Sequence, residues 1–278
     1  MNPFPENPEA APVIQSESLP DIAAGSLPEI VPAPLADPAW NGWDLLKLVS
    51  VTILTLALSM IAVVLAVRRW AYPHRDVAEL ARNAVVVVLG QGVGYLLVFL
   101  YMYVLVTRER RRPDFLNAIH WNWPSNPSMY LMWGVGLSVA LQALAHLLPI
   151  PKNLPIDSFF RTPAEAWVLT IFGITLAPMM EEFLFRAFLY PVLKRQLGWG
   201  AAILLTALGF ALLHGSQLKF AWGPLLVIFL VGLVLTIVRA QKNSVAASLL
   251  MHIAYNGTIS ALMFMATDGF RHLEKLNQ

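Results

Sequence analysis

The chain has 278 residues, 57% hydrophobic and 13% charged, with a mean hydropathy of +0.61. An average soluble domain has roughly 45–50% and 25%, so a soluble globular protein is excluded. The 19 Lys and Arg against 17 Asp and Glu leave a net charge of +2 and no basic stripe, which excludes nucleic acid as a partner. Cysteine is absent, so disulfides, thiolate metal sites and a cysteine nucleophile fall away together, and chemistry is left to Glu, His, Asp, Ser or Lys.

Residues 1–43 hold nine of the 20 prolines, six acidic residues and no Lys or Arg, the composition of a disordered acidic tail. The tail has no basic region followed by an apolar one, so no cleaved signal peptide is expected and the first span serves as the insertion signal. From Asp44 on, apolar runs alternate with short charged connectors. Each run approaches the roughly 20 residues that a bilayer crossing needs, and in lipid such a run must be helical. The spans are 45–67, 84–106, 128–149, 164–193, 200–214, 220–238 and 244–267. They end at Arg68-Arg69, Arg108 to Arg112, Lys152, Lys194-Arg195, Lys219, Arg239/Lys242 and Arg271. The expected fold is all-α, a polytopic membrane bundle of about seven (seven to eight) helices. The division is a tail at 1–43, N-terminal transmembrane helices at 44–160, a membrane core at 161–267 and a short C-terminal tail at 268–278.

Within this plan, 68–83 is read as a stretch lying along the interface and Arg108 to Arg112 as an anchor at the headgroups. Lys and Arg balance on alternate connectors, so the in/out topology stays open. His146 reads as a core or interfacial histidine, and Gly90, Gly92, Gly94, Gly134 and Gly136 as sites of close helix contact. Thr162-Pro163-Ala164-Glu165 reads as a capping box with proline at the first helical position. A fourth element from about 163 to 197 would be about 50 Å long, so it must bend, break or project. Pro178 is the expected break.

An ionisable side chain at mid-bilayer costs roughly 2.5–3.5 kcal/mol on insertion scales and marks function by default. Three groups of polar residues stand inside the spans: Glu181-Glu182 with Arg186, Phe210 with His214, and His252 with Asn256. Glu182 and Arg186 are four apart in the favoured ion-pair register, which leaves Glu181 free and pointing about 100° away. Phe210 and His214 share a face, as do His252 and Asn256. Counting the helical rise from one membrane face puts Glu181 at about 25 Å, His214 at about 21 Å, His252 at about 14 Å and Asn256 at about 20 Å. Four residues from three spans overlap in depth, as one site requires.

The chemistry open to such a site is narrow. His214 is followed by Gly215-Ser216 and His252 by Ile253-Ala254, so no H-E-x-x-H zinc motif exists. Asp76, Asp114, Asp157 and Asp268 all lie in connectors, and Ser216 lacks a nucleophile elbow. One glutamate and two histidines remain, enough to bind zinc or to activate water directly.

The motifs E-E-x-x-x-R, F-x-x-x-H and H-x-x-x-N, in this order on successive membrane helices over about 165–260, resemble the CPBP family of CAAX prenyl endopeptidases and bacteriocin-processing (Abi) proteins. The resemblance implies an intramembrane endopeptidase acting on a membrane-associated or lipidated protein or peptide. Carried over, Glu181 activates water, buttressed by Glu182 and Arg186. His214 assists or binds metal, and His252 and Asn256 hold the oxyanion or, for His252, bind metal. Zinc or another divalent metal on Glu181, His214 and His252 is one version. A metal-free route is preferred because Glu182 is taken by Arg186 and a metal-bound Glu181 leaves no carboxylate for the water proton.

A different class of function also fits the residues, a non-catalytic transporter or assembly or immunity factor whose polar cluster binds an ion or ties helices. The complete motif set favours catalysis, and no second copy of the Pro178 break points to a transporter's repeats. The expected setting is multi-pass in a bacterial cytoplasmic (inner) membrane, with the bilayer and a membrane peptide as partners and the oligomeric state unread.

Overall fold

A computed structural model describes residues 38–151 and 154–277. The acidic tail up to residue 37, and Lys152 at the end of the third span, lie outside the described residues. No strand occurs among those described, and seven principal helices follow the expected order.

Helix α1 (Gly42–Trp70) begins with a reciprocal cap, the Asn41 side chain accepting from the Trp43 and Asp44 amides and Asp44 accepting from the Asn41 amide at 2.9 Å. Asn83 starts α2 (Ala84–Val104), which runs on as a π turn at Leu105–Glu109, and Asn126 starts α3 (Pro127–Ala145). Then come α4 (Pro163–Leu197), α5 (Trp199–Leu213), α6 (Trp222–Lys242) and α7 (Val245–Ala266), the last capped by the Ser244 hydroxyl. Six of the seven are long and apolar enough to cross a membrane. The exception is α5, expected as a span at 200–214. Its 15 residues rise about 22 Å, short of a core of about 30 Å. The outward side chains fit a lipid solvent: Ile53, Leu54, Leu58, Ile61 and Leu65 of α1 are each more than half exposed, an apolar surface that water would penalise.

Three helix pairs, α1 with α2, α3 with α7 and α5 with α6, are joined by α4, which touches α2, α5 and α7. Small residues set two of these approaches. A Cβ on Gly94 would fall 2.7 Å from the Leu56 side chain, and one on Gly134 would fall 2.3 Å from the Met251 carbonyl oxygen. Gly90 likewise lies against Met60, whereas Gly92 and Gly136 meet no neighbour. His146 only caps the end of α3. The interfacial stretch expected at 68–83 contains a single helical turn, Val77–Leu80, because Pro73 stops the chain after α1 and Asn83 already starts α2.

Helix α4 is the irregular one. Its N-terminus holds half of the expected capping box. Thr162 accepts from the Glu165 amide at 3.2 Å, but the Glu165 carboxylate turns to Arg161 at 2.8 Å. The first stretch ends at Ile174 and a second, Leu176–Glu181, follows a distorted Thr175 (φ −113°, ψ −81°). The break expected at Pro178 thus falls three residues earlier, where the ring of a proline meets the carbonyl four residues back, here Ile174. Beyond Glu181 the helix widens into a π segment, Glu182–Leu189, before Tyr190–Leu197. In a π coil the carbonyl of Arg186 looks to residue 191, which is a proline with no N–H. The guanidinium Nε of Arg239 donates to that carbonyl instead, at 3.2 Å.

Pro38 to Asn41, given to the tail by composition, pack on this segment. Trp40 is 1% exposed, stacks on Phe188 at 4.6 Å and donates its indole N–H to the Phe188 carbonyl at 3.0 Å. Arg195 donates to the carbonyls of Pro38 and Trp40. Trp40→Ala is therefore expected to cost about 3–5 kcal/mol, the range for large buried aromatics, whereas deleting residues 1–36 leaves membrane insertion and thermal melting in detergent unchanged. Equal melting of Trp40→Ala and the unaltered chain would refute the packing role.

Candidate active site

The three polar groups meet at one point. Glu181, at the end of the Leu176–Glu181 stretch, has one carboxylate oxygen 3.7 Å from His214 Nε2 and the other 3.5 Å from His252 Nε2. The depth count is corrected on one point: it put His252 about 11 Å away from Glu181 along the membrane normal, yet the two side chains face each other. The straight α-helical rise does not hold over the counted stretch, because the π segment Glu182–Leu189 lies between Glu181 and the turn at Gly198.

Behind Glu181 stands a buried charge cluster. Glu182 and Arg186 are both fully buried and 3.1 Å apart. Glu182 also accepts from His252 Nδ1 at 2.9 Å and from the Ser248 hydroxyl at 2.7 Å. The guanidinium donates to the Gly232 carbonyl at 3.0 Å and lies over the Phe210 ring, 4.5 Å from its centroid. Each member of the pair is thus held by more than its partner, the condition under which charges remain buried. Spacing found the pair but missed Ser248, although Ser248, His252 and Asn256 form a single i, i+4, i+8 stripe on α7. Gly232 has no side-chain signature at all.

Both histidines are held from behind. Nδ1 of His214 lies 2.9 Å from the Phe210 carbonyl, one of the orphan acceptors at the end of α5, and that oxygen can only accept. Nδ1 of His252 lies against the Glu182 carboxylate. The two Nδ1 atoms therefore carry the protons, and in the neutral rings both Nε2 atoms present lone pairs toward Glu181. Phe210 packs between the imidazoles, 4.9 Å from His214 and 5.8 Å from His252. Three acceptors converge with no proton donor among them, an arrangement completed by a water or a cation.

Asn256 shares its helix face with His252, as expected, and both line one cavity. One of its amide hydrogens goes to the Gly173 carbonyl at 2.7 Å, beside the Thr175 break, and the other is available to the cavity. The cavity has a volume of about 560 Å³ and is lined by Glu181, His214, His252, Asn256, Tyr95 and Phe172, among others. That lies within the roughly 300–1,000 Å³ of ligand pockets and admits a short extended peptide with its attacking water.

The residues also bear on a divalent metal. Neutral imidazoles with Nδ1–H bonded to a carbonyl or carboxylate are what zinc ligands require. The ligand atoms around tetrahedral zinc lie about 3.3 Å apart, and the two Glu181–His separations exceed this by a few tenths of an ångström. Among the described residues no group of three His, Asp or Glu is already gathered as a metal centre, so a metal on Glu181, His214 and His252 requires a small contraction.

The alternative nucleophiles stay out of place. Ser216 lies on the cavity wall in a short 3₁₀ turn just past His214, with no strand-to-helix elbow.

No curated protein and no solved structure matches the chain. Residues 163–258, from the first turn of α4 into α7, match the family model described as type II CAAX prenyl endopeptidase, Rce1-like, a membrane-protease family in agreement with the CPBP resemblance of the three motifs.

Proposed function

We propose that the protein is an intramembrane endopeptidase in which Glu181 activates water. The observation that carries this reading is the free carboxylate of Glu181 facing two imidazole Nε2 atoms at 3.5 and 3.7 Å inside a cavity, while the neighbouring Glu182 is fully engaged. A water lying between Glu181 and His214 gives one hydrogen to each. As its oxygen attacks the scissile carbonyl carbon, Glu181 takes the proton. The oxyanion faces the second amide hydrogen of Asn256, flanked by the His252 ring, which the Glu182 carboxylate fixes from the Nδ1 side. The proton then passes to the leaving nitrogen as the C–N bond breaks. The domain division follows, with α4 to α7 as the catalytic core and α1 to α3 as its flank.

The substrate class that fits is a membrane-associated peptide, including a prenylated tail of the CAAX type for which the matched family is named. A bacterial cytoplasmic membrane remains the proposed location. The test is incubation of the purified protein in detergent with farnesylated and unmodified peptides ending in a CAAX sequence, read by mass spectrometry. Cleavage at one bond supports the reading. Intact peptides throughout, with a well-folded sample, would reject it in favour of a transporter or assembly factor.

A divalent cation held by Glu181, His214 and His252 would supply Lewis-acid polarisation of a bound water. That ligand set would leave no carboxylate to accept the water proton, since Glu182 is bound by Arg186, Ser248 and His252. The metal-free route is therefore preferred. Protein stripped with chelator, and shown by elemental analysis to hold less than about one metal per ten chains, is expected to keep its turnover. Loss on stripping with recovery on added zinc, at one zinc per chain, would overturn that preference.

A further inference from the structure

One wall of the cavity comes from outside the matched region. Val87, Val88, Gln91 and Tyr95 of α2 line it, positions spaced to share one helix face. Helix α2 packs on the Leu176–Glu181 stretch, and Tyr95 stacks on Phe172 with centroids 5.8 Å apart and planes 11° from parallel. Gln91 sits in the first half of a 21-residue apolar helix. It is half-buried, and its amide has no hydrogen-bond partner among the described residues. A primary amide at membrane depth that opens onto the cavity and makes no hydrogen bond within the fold is left for whatever fills that cavity.

Peptide hydrolysis supplies a use for it. A helical substrate carries its carbonyls in its own ladder, so attack needs an extended segment, whose N–H and C=O groups then require partners in an apolar cavity. The Gln amide presents one acceptor and two donors at its tip, complementary to a peptide group. We propose that Gln91 is a substrate-backbone clamp, pairing with one peptide group of the extended segment and so holding a neighbouring carbonyl against Glu181. The clamp rests on the endopeptidase reading, and it adds a binding residue outside residues 163–258.

The test uses a farnesylated peptide ending in a CAAX sequence and a set of analogues in which one backbone amide at a time is an ester, which removes a single N–H donor. Binding is measured to Glu181→Gln protein, and kcat and KM to protein with active Glu181. Gln91→Met, isosteric but unable to hydrogen-bond, is expected to weaken binding and raise KM about 10-fold, the scale of one hydrogen bond to a buried group. Its melting temperature is expected to be unchanged or higher, because no partner is lost. One ester analogue that weakens binding to the unaltered wall should cost nothing against Gln91→Met. A lowered melting temperature with unchanged KM would make Gln91 structural and overturn the clamp, as would equal ester sensitivity in both proteins. Unaltered protein that cuts none of these peptides, and Glu181→Gln that binds none, would instead overturn the endopeptidase reading itself.

Discussion

Replacing Glu181 by glutamine is expected to lower turnover by at least about 10²–10⁴-fold, the range contributed by a positioned general base, while stability stays within about 1 kcal/mol of the unaltered protein, no more than the typical effect of a point substitution. The two parts of this expectation have separate causes. Glutamine keeps the size of the side chain but cannot take a proton from water. Stability is spared because Glu181 makes no short contact, its nearest partners being imidazole nitrogens at 3.5 and 3.7 Å, and its side chain keeps 14% of its surface open to the cavity. Turnover and thermal melting of the same preparation check it. A large loss of stability would show that Glu181 holds the helices together.

Arg186→Ala is expected to do the opposite, destabilising the bundle by about 3–5 kcal/mol, the cost of stranding a buried charge. Arg186 is fully buried and connects Glu182, the Gly232 carbonyl on α6 and the Phe210 ring on α5, so its removal leaves a carboxylate in an apolar core and unties three helices. Turnover falls as well, since Glu182 fixes the His252 ring. The double change Glu182→Gln with Arg186→Met removes both charges and is expected to recover much of the stability but little activity. Expression level and thermal melting decide the matter, and Arg186→Ala melting like the unaltered chain would refute the structural account.

The two expectations separate Glu181 from its sequence neighbour Glu182, the partner of Arg186, and that separation is legible in the sequence alone. Glu182 and Arg186 fall four apart, Glu181 does not, and the histidine motifs have the same four-residue period because a helix returns to one face at that interval. The seven apolar helices and their order were legible for a similar reason, since lipid admits only helices. What hydropathy could not carry is the local winding. It does not distinguish an α from a π turn, so the π segment Glu182–Leu189 went unread, and the break landed at Thr175 because the steric conflict of a proline acts a turn upstream. Partners that are backbone atoms were also hidden, such as Gly232 for Arg186, Gly173 for Asn256 and Phe188 for Trp40. Each depends on which helices become neighbours. Trp40 was misplaced in the tail because its proline-rich surroundings set the local composition, while its burial is decided by a contact 148 residues away.

The most direct test of a water-activating glutamate is hydrolysis of a farnesylated CAAX peptide in H₂¹⁸O by purified protein, with the products weighed by mass spectrometry. The account predicts one ¹⁸O atom in the new C-terminal carboxylate after a single turnover, no covalent peptide adduct on the protein at any time, and no product with Glu181→Gln. A trapped acyl-enzyme on Ser216, or cleavage by Glu181→Gln at the rate of the unaltered protein, would contradict it.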